Sequence, residues 1–273
     1  MIKKTDLRFD FIEQLAWWEG QINSSHLMAK FNLTRASASK ILKDYRAKYP
    51  NNLSYNDSTK ACLPTKEFSG HCDLRQFNHY LQAITSDDSD NKLSLCALEV
   101  DAPLRNIHAE QVRPILKAIR ENLAIDIGYI SLSSPDYLDR IIEPHALIFD
   151  GLRWHVRAYC RKNHAFRDFT LSRFNGQAVF EGKATTSVEE DSNWHTFVEV
   201  VIQPDPRLTQ KQQEIIANDF QMQNGIKTIS TRAALVNYLL LRLRIDGYKN
   251  TPEEQQIILT SACQKAISQY LPK

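Results

Sequence analysis

The stretch EPHALIFDGLRWHVRAYCRKNHAFRDFTLSRF, residues 143–174, decides the fold of the central part of this 273-residue chain. Apolar residues 146–149 lead to Asp150-Gly151, a pair that predicts a two-residue hairpin. Apolar and polar side chains then alternate from Trp154 to Cys160, which is the period of a strand with two unlike faces. We therefore predict two antiparallel strands that lead into a third.

The third strand carries two arginines in the pattern R-x-F-x-L-x-R. In a strand this spacing places four side chains on one side: Arg167, Phe169, Leu171 and Arg173. Two guanidinium groups on a half-apolar face are costly unless an anion meets them. An ordinary antiparallel sheet with exposed arginines would give the same pattern, so an anion site is one of two interpretations.

These residues resemble the WYL domain, a ligand-sensing module of bacterial transcription regulators. His155 and Val156 stand where the family has Tyr and Leu after the Trp. With the elements on either side, the whole chain resembles the WYL repressors that control phage-defence operons, the BrxR/CapW type. The likeness of the domain rests on four short segments: Glu143–His145, Trp154–Val156, Arg157–Tyr159 and Arg167–Arg173.

The resemblance implies an α+β chain with an N-terminal winged helix-turn-helix, a central WYL domain built as an Sm-like β-barrel and a small α/β C-terminal domain. It also implies a pocket for an anionic ligand, a nucleotide or nucleic acid. The strand at residues 125–133 alternates and would supply the first two pocket residues, although a cross-strand tyrosine with solvated serines fits the same alternation. The implied ligand-binding residues are Tyr129, Ser131, His145, Trp154, His155, Arg167 and Arg173.

The N-terminal region has the pattern of a helix-turn-helix. A first helix is predicted at residues 7–18, and Ser24 or Ser25 is expected to cap a short second one. Thr34 is the expected N-cap of the next helix, whose inward stripe is Ala38, Ile41, Leu42 and Tyr45. Residues 53–64 then read strand, turn and strand, which predicts a wing.

The second helix of this motif is strongly basic. Residues 30–48 hold six basic residues against one acid, Asp44, a net charge of +5, whereas the whole chain carries only +2. Small hydroxyl residues in its first turn would let the helix approach base edges while its flanks bind phosphate. A merely solvated charged face remains the alternative. The predicted DNA-binding residues are Thr34, Arg35, Ser37, Ser39, Lys40, Lys43 and Arg46.

Helical spacing predicts further helices at residues 73–84 and 109–122, and a strand at 197–204. The run TRAALVNYLLLRLRID is apolar nearly all round, so we expect its helix, at 235–245, to be covered by a second subunit. Polar stretches at 85–92 and 186–193 suggest boundaries. The predicted domains are 1–70 (winged helix), 71–92 (linker helix and loop), 93–185 (WYL) and 186–273 (dimerisation).

Composition narrows the class of protein. With 42% hydrophobic and 24% charged residues the chain is typical of soluble globular proteins. No apolar run approaches the roughly 20 residues that span a membrane, and the N-terminus lacks a signal-peptide core, so we expect a cytoplasmic, nucleoid-associated bacterial protein. The five cysteines are scattered, without metal-ligand spacing, and we expect neither a metal nor another cofactor.

The leading functional hypothesis is a homodimeric repressor that binds an inverted repeat in double-stranded operator DNA. A phosphodiester-acting enzyme is the alternative, because His145 and His155 are expected beside Arg167 and Arg173. The sequence has no Gly-rich phosphate loop, metal-binding carboxylate cluster or nucleophile elbow, so we do not expect an enzyme. A structural adaptor that uses the helix-turn-helix for protein contacts fits the basic helix poorly.

Overall fold

A computed structural model describes residues 4–71, 74, 77–84, 103–132, 135 and 138–271 of the chain. The chain forms two compact units, Met1–Asp101 and Ala102–Lys273, called here the N-terminal unit and the C-terminal unit. The predicted boundary at 85–92 and the residues after it, up to 102, lie outside the described residues, as does the predicted helix start at Asp73.

The N-terminal unit is a winged helix-turn-helix. Its core gathers Ile12 and Leu15 from the first helix, Leu27 from the second, and Ala38 and Tyr45 from the third. The two short strands form an antiparallel hairpin, so the predicted wing is confirmed. The elements are α1 (Lys4–Glu19), α2 (Ser24–Phe31), α3 (Arg35–Lys48), β1 (Leu53–Asn56), β2 (Ala61–Pro64) and α4 (Phe77–Ile84).

Side-chain caps set the starts of α2 and α3. The cap of α2 is Asn23, not Ser24 or Ser25, because its Oδ1 accepts hydrogen bonds from the backbone N–H groups of Ser25 and His26. The cap of α3 is Thr34, as predicted, and its hydroxyl oxygen accepts a bond from the N–H of Ser37 at 3.3 Å.

The first part of the C-terminal unit is a five-stranded antiparallel sheet covered on one face by a helix. The strand order is β6-β5-β4-β3-β7. The helix packs on β3, β4 and β7. Its residue Ile115 joins Ile125, Ile142, Val156 and Phe169 in the core. The elements are α5 (Ala109–Glu121), β3 (Leu123–Tyr129), β4 (Leu138–Phe149), β5 (Trp154–Cys160), β6 (Ala165–Thr170) and β7 (Phe174–Lys183).

This sheet is open, so the predicted β-barrel is wrong. Among the described residues β6 pairs only with β5, and β7 only with β3. A flat sheet would hold these edges about 19 Å apart, yet the link at Leu171–Arg173 spans at most about 14 Å, so the sheet must curl strongly. At the end of the edge strand β6 the N–H of Thr170 donates to the Tyr129 hydroxyl at 3.1 Å.

Two local features depart from simple alternation. The turn between β4 and β5 has four residues, Asp150–Arg153, not two, because the Asp150 carboxylate accepts the N–H groups of Leu152 and Arg153. A β-bulge interrupts the β4–β5 ladder between Pro144 and Ala146, so His145 has no partner in the register. A bulge re-aims the side chain that it carries.

The second part of the C-terminal unit is a three-stranded sheet with short helices. The strand order is β10-β8-β9, and the predicted strand at 197–204 is confirmed. A capping box from Thr209 to Gln212 starts α7. Val200, Ile202, Val236 and Leu240 form its core. The elements are α6 (Ser192–His195), β8 (Phe197–Pro204), α7 (Gln210–Asp219), β9 (Lys227–Arg232), α8 (Val236–Arg242), α9 (Pro252–Gln255), β10 (Ile257–Leu259) and α10 (Ser261–Ile267).

The apolar run predicted as one helix at 235–245 is divided. Its first residues end strand β9 and form a 3₁₀ turn, and only Val236–Arg242 is α-helical. Arg244 then adopts a left-handed conformation with φ 59° that ends the helix. The apolar side chains pack largely on the core of the same domain, while Leu241 remains 41% exposed.

Candidate functional site

Helix α3 presents the predicted DNA-binding side chains to solvent. Ala38, Leu42 and Tyr45 face the core. The Thr34 hydroxyl also donates to the Ser37 hydroxyl at 3.0 Å, so these two residues are tied into the helix start. The predicted residues that are exposed on this helix or its cap are Thr34, Arg35, Ser37, Ser39, Lys40, Lys43 and Arg46.

In the C-terminal unit a cavity of about 830 Å³ brings together five of the seven predicted ligand-binding residues. We call it the basic chamber. Its lining includes the successive β6 residues 167–170. Successive residues of a strand point to opposite faces, so the cavity reaches around this edge strand. The predicted residues that line it are Tyr129, Ser131, His155, Arg167 and Arg173, and those not foreseen include Arg140, Arg153, Lys162, Asp168 and Tyr238.

The basic chamber is rich in positive charge. Five cationic side chains line it against a single carboxylate, Asp168, among its described residues. Asp168 is already held by Arg157 Nη1 at 3.1 Å and by the Tyr238 hydroxyl at 2.8 Å. The Nε of Arg140 is buried and has no hydrogen-bond partner among the described residues. A buried donor without an acceptor is costly, which favours an anion or other acceptor there.

Tyr129 supports the wall of the basic chamber. Its ring meets those of Phe169 and Phe174 edge-on, at centroid distances of 5.0 and 5.2 Å, and the side chain is buried. Its hydroxyl accepts the N–H of Thr170, and the Arg140 guanidinium lies 5.6 Å from its ring centroid. Tyr129 therefore supports both Arg140 and β6 in the wall of the chamber.

Arg167 and Arg173 reach the basic chamber from different elements. Arg167 projects from β6 opposite Ala158. Arg173 lies in the 3₁₀ turn Leu171–Arg173, so the expectation that one strand face carries both is wrong. The Arg173 carbonyl accepts the N–H of Ile130, which fixes this turn against the end of β3. The turn, not strand alternation, brings the second guanidinium to the chamber.

Two predicted pocket residues lie elsewhere. The bulge directs His145 to Asp191, with Nε2 to Oδ2 at 3.1 Å, and burial lowers the pKa of His145 although Asp191 opposes the shift. Trp154 is 43% exposed beside Phe149 at the hairpin end, with ring centroids 5.0 Å apart. Neither residue lines the basic chamber.

His155 is held on two sides. Its Nε2 lies 2.8 Å from Asp150 Oδ2, and its ring packs on that of Tyr238 at 4.9 Å. Burial by itself would raise the pKa of Asp150, but hydrogen bonds from His155, Arg153 and Leu152 outweigh it and lower the pKa to about 2. The carboxylate of Asp150 therefore fixes both the turn and the His155 ring.

A buried ionic network joins the five-stranded sheet to the second part of the unit. Arg157 is 6% exposed and grips Asp191 with Nε at 2.8 Å and Nη2 at 2.9 Å, while Nη1 holds Asp168. These contacts raise the pKa of Arg157 despite burial, which opposes the shift. The Tyr238 hydroxyl of α8 completes the network on Asp168, and burial together with the Asp168 charge raises the pKa of Tyr238.

Arg140, which was not among the predicted residues, has a signal in the sequence. It pairs with Ile127 across the β3–β4 ladder, two residues before Ile142, so it interrupts the apolar face of β4. Arg167 interrupts the face of β6 in the same way, two residues before the buried Phe169. The Arg157–Asp191 pair left no comparable signal, because its partners are far apart in the chain.

Among the described residues no group of three or more His, Cys, Asp or Glu side chains is placed to hold a metal ion. No helix in the described ranges is long and apolar enough to span a bilayer.

Comparison with known proteins matches nearly the whole chain. Residues 4–86 match the winged helix-turn-helix domain of BrxR transcriptional regulators, residues 110–179 the WYL domain, and residues 197–267 the BrxR C-terminal dimerization domain. The "DNA-binding transcriptional repressor CapW" of Pseudomonas aeruginosa is 35% identical over 262 residues, which cover 92% of this chain and 87% of that protein. The chain belongs to the CapW family of DNA-binding transcriptional repressors.

Two further CapW repressors show the same extent of similarity. That of Escherichia coli (strain KTE188) is 32% identical over 92% of this chain and 87% of its own length. That of Stenotrophomonas maltophilia is 30% identical over 93% of this chain and 89% of its own length. In this CapW-family chain the WYL match covers the strands that carry most of the basic chamber, and the dimerization match covers α8 with Tyr238.

Proposed function

We propose that this CapW-family protein is a homodimeric repressor whose basic chamber binds an anionic ligand, a nucleotide or nucleic acid, and thereby changes its affinity for operator DNA. The operator would be an inverted repeat, because two copies related by two-fold symmetry present two equivalent α3 helices. We further propose that the operator controls a phage-defence operon in the bacterial cytoplasm, at the nucleoid. Defence genes beside the operator are the genomic test.

The observation that carries the ligand proposal is the charge of the basic chamber. Five cationic side chains meet there, and the one carboxylate among the described lining residues already accepts hydrogen bonds from Arg157 and Tyr238. Like charges brought together around a cavity repel one another, so an anion entering it gains from several cations at once. Guanidinium groups also offer bidentate geometry to a phosphate.

The same cavity supports a route from ligand to dimerisation domain. Asp168 faces the basic chamber and accepts a hydrogen bond from Tyr238, which lies on α8. An anion near Asp168 would raise the electrostatic cost of keeping that carboxylate in place. A ligand alters DNA binding only through different affinities for the DNA-competent and DNA-incompetent states, and couplings of roughly 1–3 kcal/mol are typical.

The ligand proposal is tested with a defined probe, the single-stranded DNA tetramer d(A)4, titrated into the full chain by calorimetry. Loss of one charge-assisted hydrogen bond costs roughly 1.5–3 kcal/mol. We therefore expect Arg173→Ala and Arg140→Ala each to weaken d(A)4 binding about 10- to 100-fold. The matched control is Arg120→Ala, an exposed arginine on α5 outside the chamber.

A second measurement links the chamber to DNA. Gel-shift titrations of an operator selected from random DNA, with and without saturating d(A)4, should show a change in affinity for the parent protein and for Arg120→Ala. Arg173→Ala should bind the operator within a few-fold of the parent and respond little to d(A)4. Equal binding of d(A)4 by all three variants and the parent would refute the ligand proposal.

A further inference from the structure

A second cavity, of about 590 Å³, lies against the other side of the ridge formed by Arg167, Asp168 and Tyr238. These three residues line both cavities. We call the second one the neutral chamber, because its further lining comes mostly from uncharged residues of the dimerisation domain. Among them are Asn193, Asn237, Gln269 and Tyr270.

Two of the three charged residues that line the neutral chamber, Arg157 and Asp168, are paired with each other. Arg157 gives Nε and Nη2 to Asp191 and Nη1 to Asp168, so its guanidinium is occupied. Asp168 is shared between Arg157 and Tyr238. Arg167 lines both chambers and has no ion-pair partner among the described residues. Apart from this guanidinium, a ligand group in the neutral chamber meets mostly amides and aromatic rings.

Two side-chain amides, Asn193 and Asn237, line the neutral chamber. Within the part of the chain that the structure describes, neither side chain forms a hydrogen bond with the protein, so both are open to a ligand. Each amide presents a donor and an acceptor side by side, which is the pattern that pairs with the edge of a nucleobase. The half-buried rings of Phe166 and Tyr270 also border the chamber and offer apolar surface to a planar ligand.

We infer that the neutral chamber is a nucleobase subsite, occupied by a base whose phosphates lie across the ridge in the basic chamber. This rests on the proposed function, because it takes the phosphates to be bound by the basic chamber. A base can enter only if it is unstacked, so the ligand class is single-stranded nucleic acid or a nucleotide rather than duplex. The cavity lies within the size range of pockets that enclose small ligands.

The test compares two probes of equal charge on the full-length protein. One is d(A)4, and the other is a tetramer of abasic residues with the same phosphates. Asn237→Ala and Asn193→Ala should each weaken d(A)4 binding about 10-fold while leaving the abasic tetramer within two-fold of the parent. Asn193 is exposed, so that variant folds even if Asn237→Ala does not; Asn218→Ala, exposed on α7, is the matched control.

The outcomes separate this inference from the proposed function. Arg173→Ala should weaken both probes alike, because it removes a phosphate contact. If Arg173→Ala does so while the asparagine variants change neither probe, or change both equally, the base subsite is refuted and the anion site stands. If the asparagine variants act only on d(A)4 while Arg173→Ala changes neither, the base subsite stands and the phosphate assignment fails. A parent protein that binds neither probe overturns both.

Discussion

Helix α3 and the basic chamber are built in opposite ways. In α3 the N-cap, the inward stripe and the basic outward face lie within one stretch of chain, from Thr34 to Lys48. The chamber takes its side chains from β3, β4, β5, β6, a 3₁₀ turn and α8. A surface made from one helix tolerates changes elsewhere, whereas a cavity assembled from distant segments depends on every contact that holds them together.

The first prediction uses Glu143, which anchors the chain between the two parts of the C-terminal unit. Its carboxylate accepts the N–H groups of Thr185 and Thr186 at 3.0 and 2.8 Å, and Arg161 Nε at 2.7 Å, and the residue is 4% exposed. Removing one partner of a buried charged network costs about 3 kcal/mol. Glu143→Gln should therefore increase hydrogen exchange in β3–β5, while exchange in α3 stays at the parent rate.

The control is Glu181→Gln, the same change at an exposed site on β7. Acid provides an independent check. Burial opposes ionisation of Glu143, but bonds from Thr186, Arg161 and Thr185 lower its pKa from 4.5 to about 2. The stabilisation is present above about pH 4.5 and is lost as pH falls toward 2, and Glu143→Gln should show less of that loss. Equal hydrogen exchange in β3–β5 in Glu143→Gln and Glu181→Gln, or faster exchange in α3 of Glu143→Gln, would contradict the comparison.

The same contrast explains what the sequence could predict. The α3 surface follows from a period of 3.6 residues and a cap, both local properties. Among the residues that the resemblance implied for the chamber, Tyr129, His155 and Arg167 lie on strands as expected, and Ser131 lies just beyond β3. Strand alternation failed at His145, where a bulge shifts it by one residue, and it assigned Arg173 to a strand that the chain leaves after Thr170.

Contacts distant in sequence account for the rest. The Arg157–Asp191 pair joins residues on either side of the boundary predicted at 186, and a pattern read along the chain has no period that couples them. Whether the sheet closes was equally beyond the sequence, since it depends on pairing between β6 and β7, the first and last strands of the order, which the described residues do not show. The resemblance to WYL regulators identified the family, but the register of this chain decided which side chains meet.

The second prediction probes α3 itself. Arg35→Ala should lose about 1–3 kcal/mol at one base pair per half-site and relax the preference there. Lys43→Ala should weaken binding to all sequences and reduce the log–log salt slope by about 0.9. Both are measured by titrating operator and scrambled DNA across a salt series. Because α3 is a local surface, neither variant should change the binding of d(A)4.

The pair of variants is its own control, since both remove one positive charge from the exposed side of α3. If they act identically on operator and scrambled DNA, the division between base and phosphate contacts is wrong. If both bind all DNA like the parent, α3 is not the DNA-binding surface. A change in d(A)4 affinity in either variant would show that the helix and the basic chamber are not independent.

The third and smallest expected effect comes from Tyr238→Phe. The change keeps the ring against His155 but deletes the hydrogen bond to Asp168, the direct link from α8 to the wall of the basic chamber. A hydrogen bond to a charged acceptor contributes roughly 1.5–3 kcal/mol to stability. Only the part of this energy that differs between the liganded and the free protein changes the coupling between d(A)4 and operator binding. We expect operator affinity without d(A)4 to remain within two-fold of the parent, and the d(A)4-induced change in that affinity to shrink about 5-fold.

Tyr248→Phe, at a tyrosine that is 72% exposed in the same domain, should retain the full response. A full response in Tyr238→Phe would mean that this bond does not carry the signal, and that the chamber and α3 communicate through other contacts of the C-terminal unit.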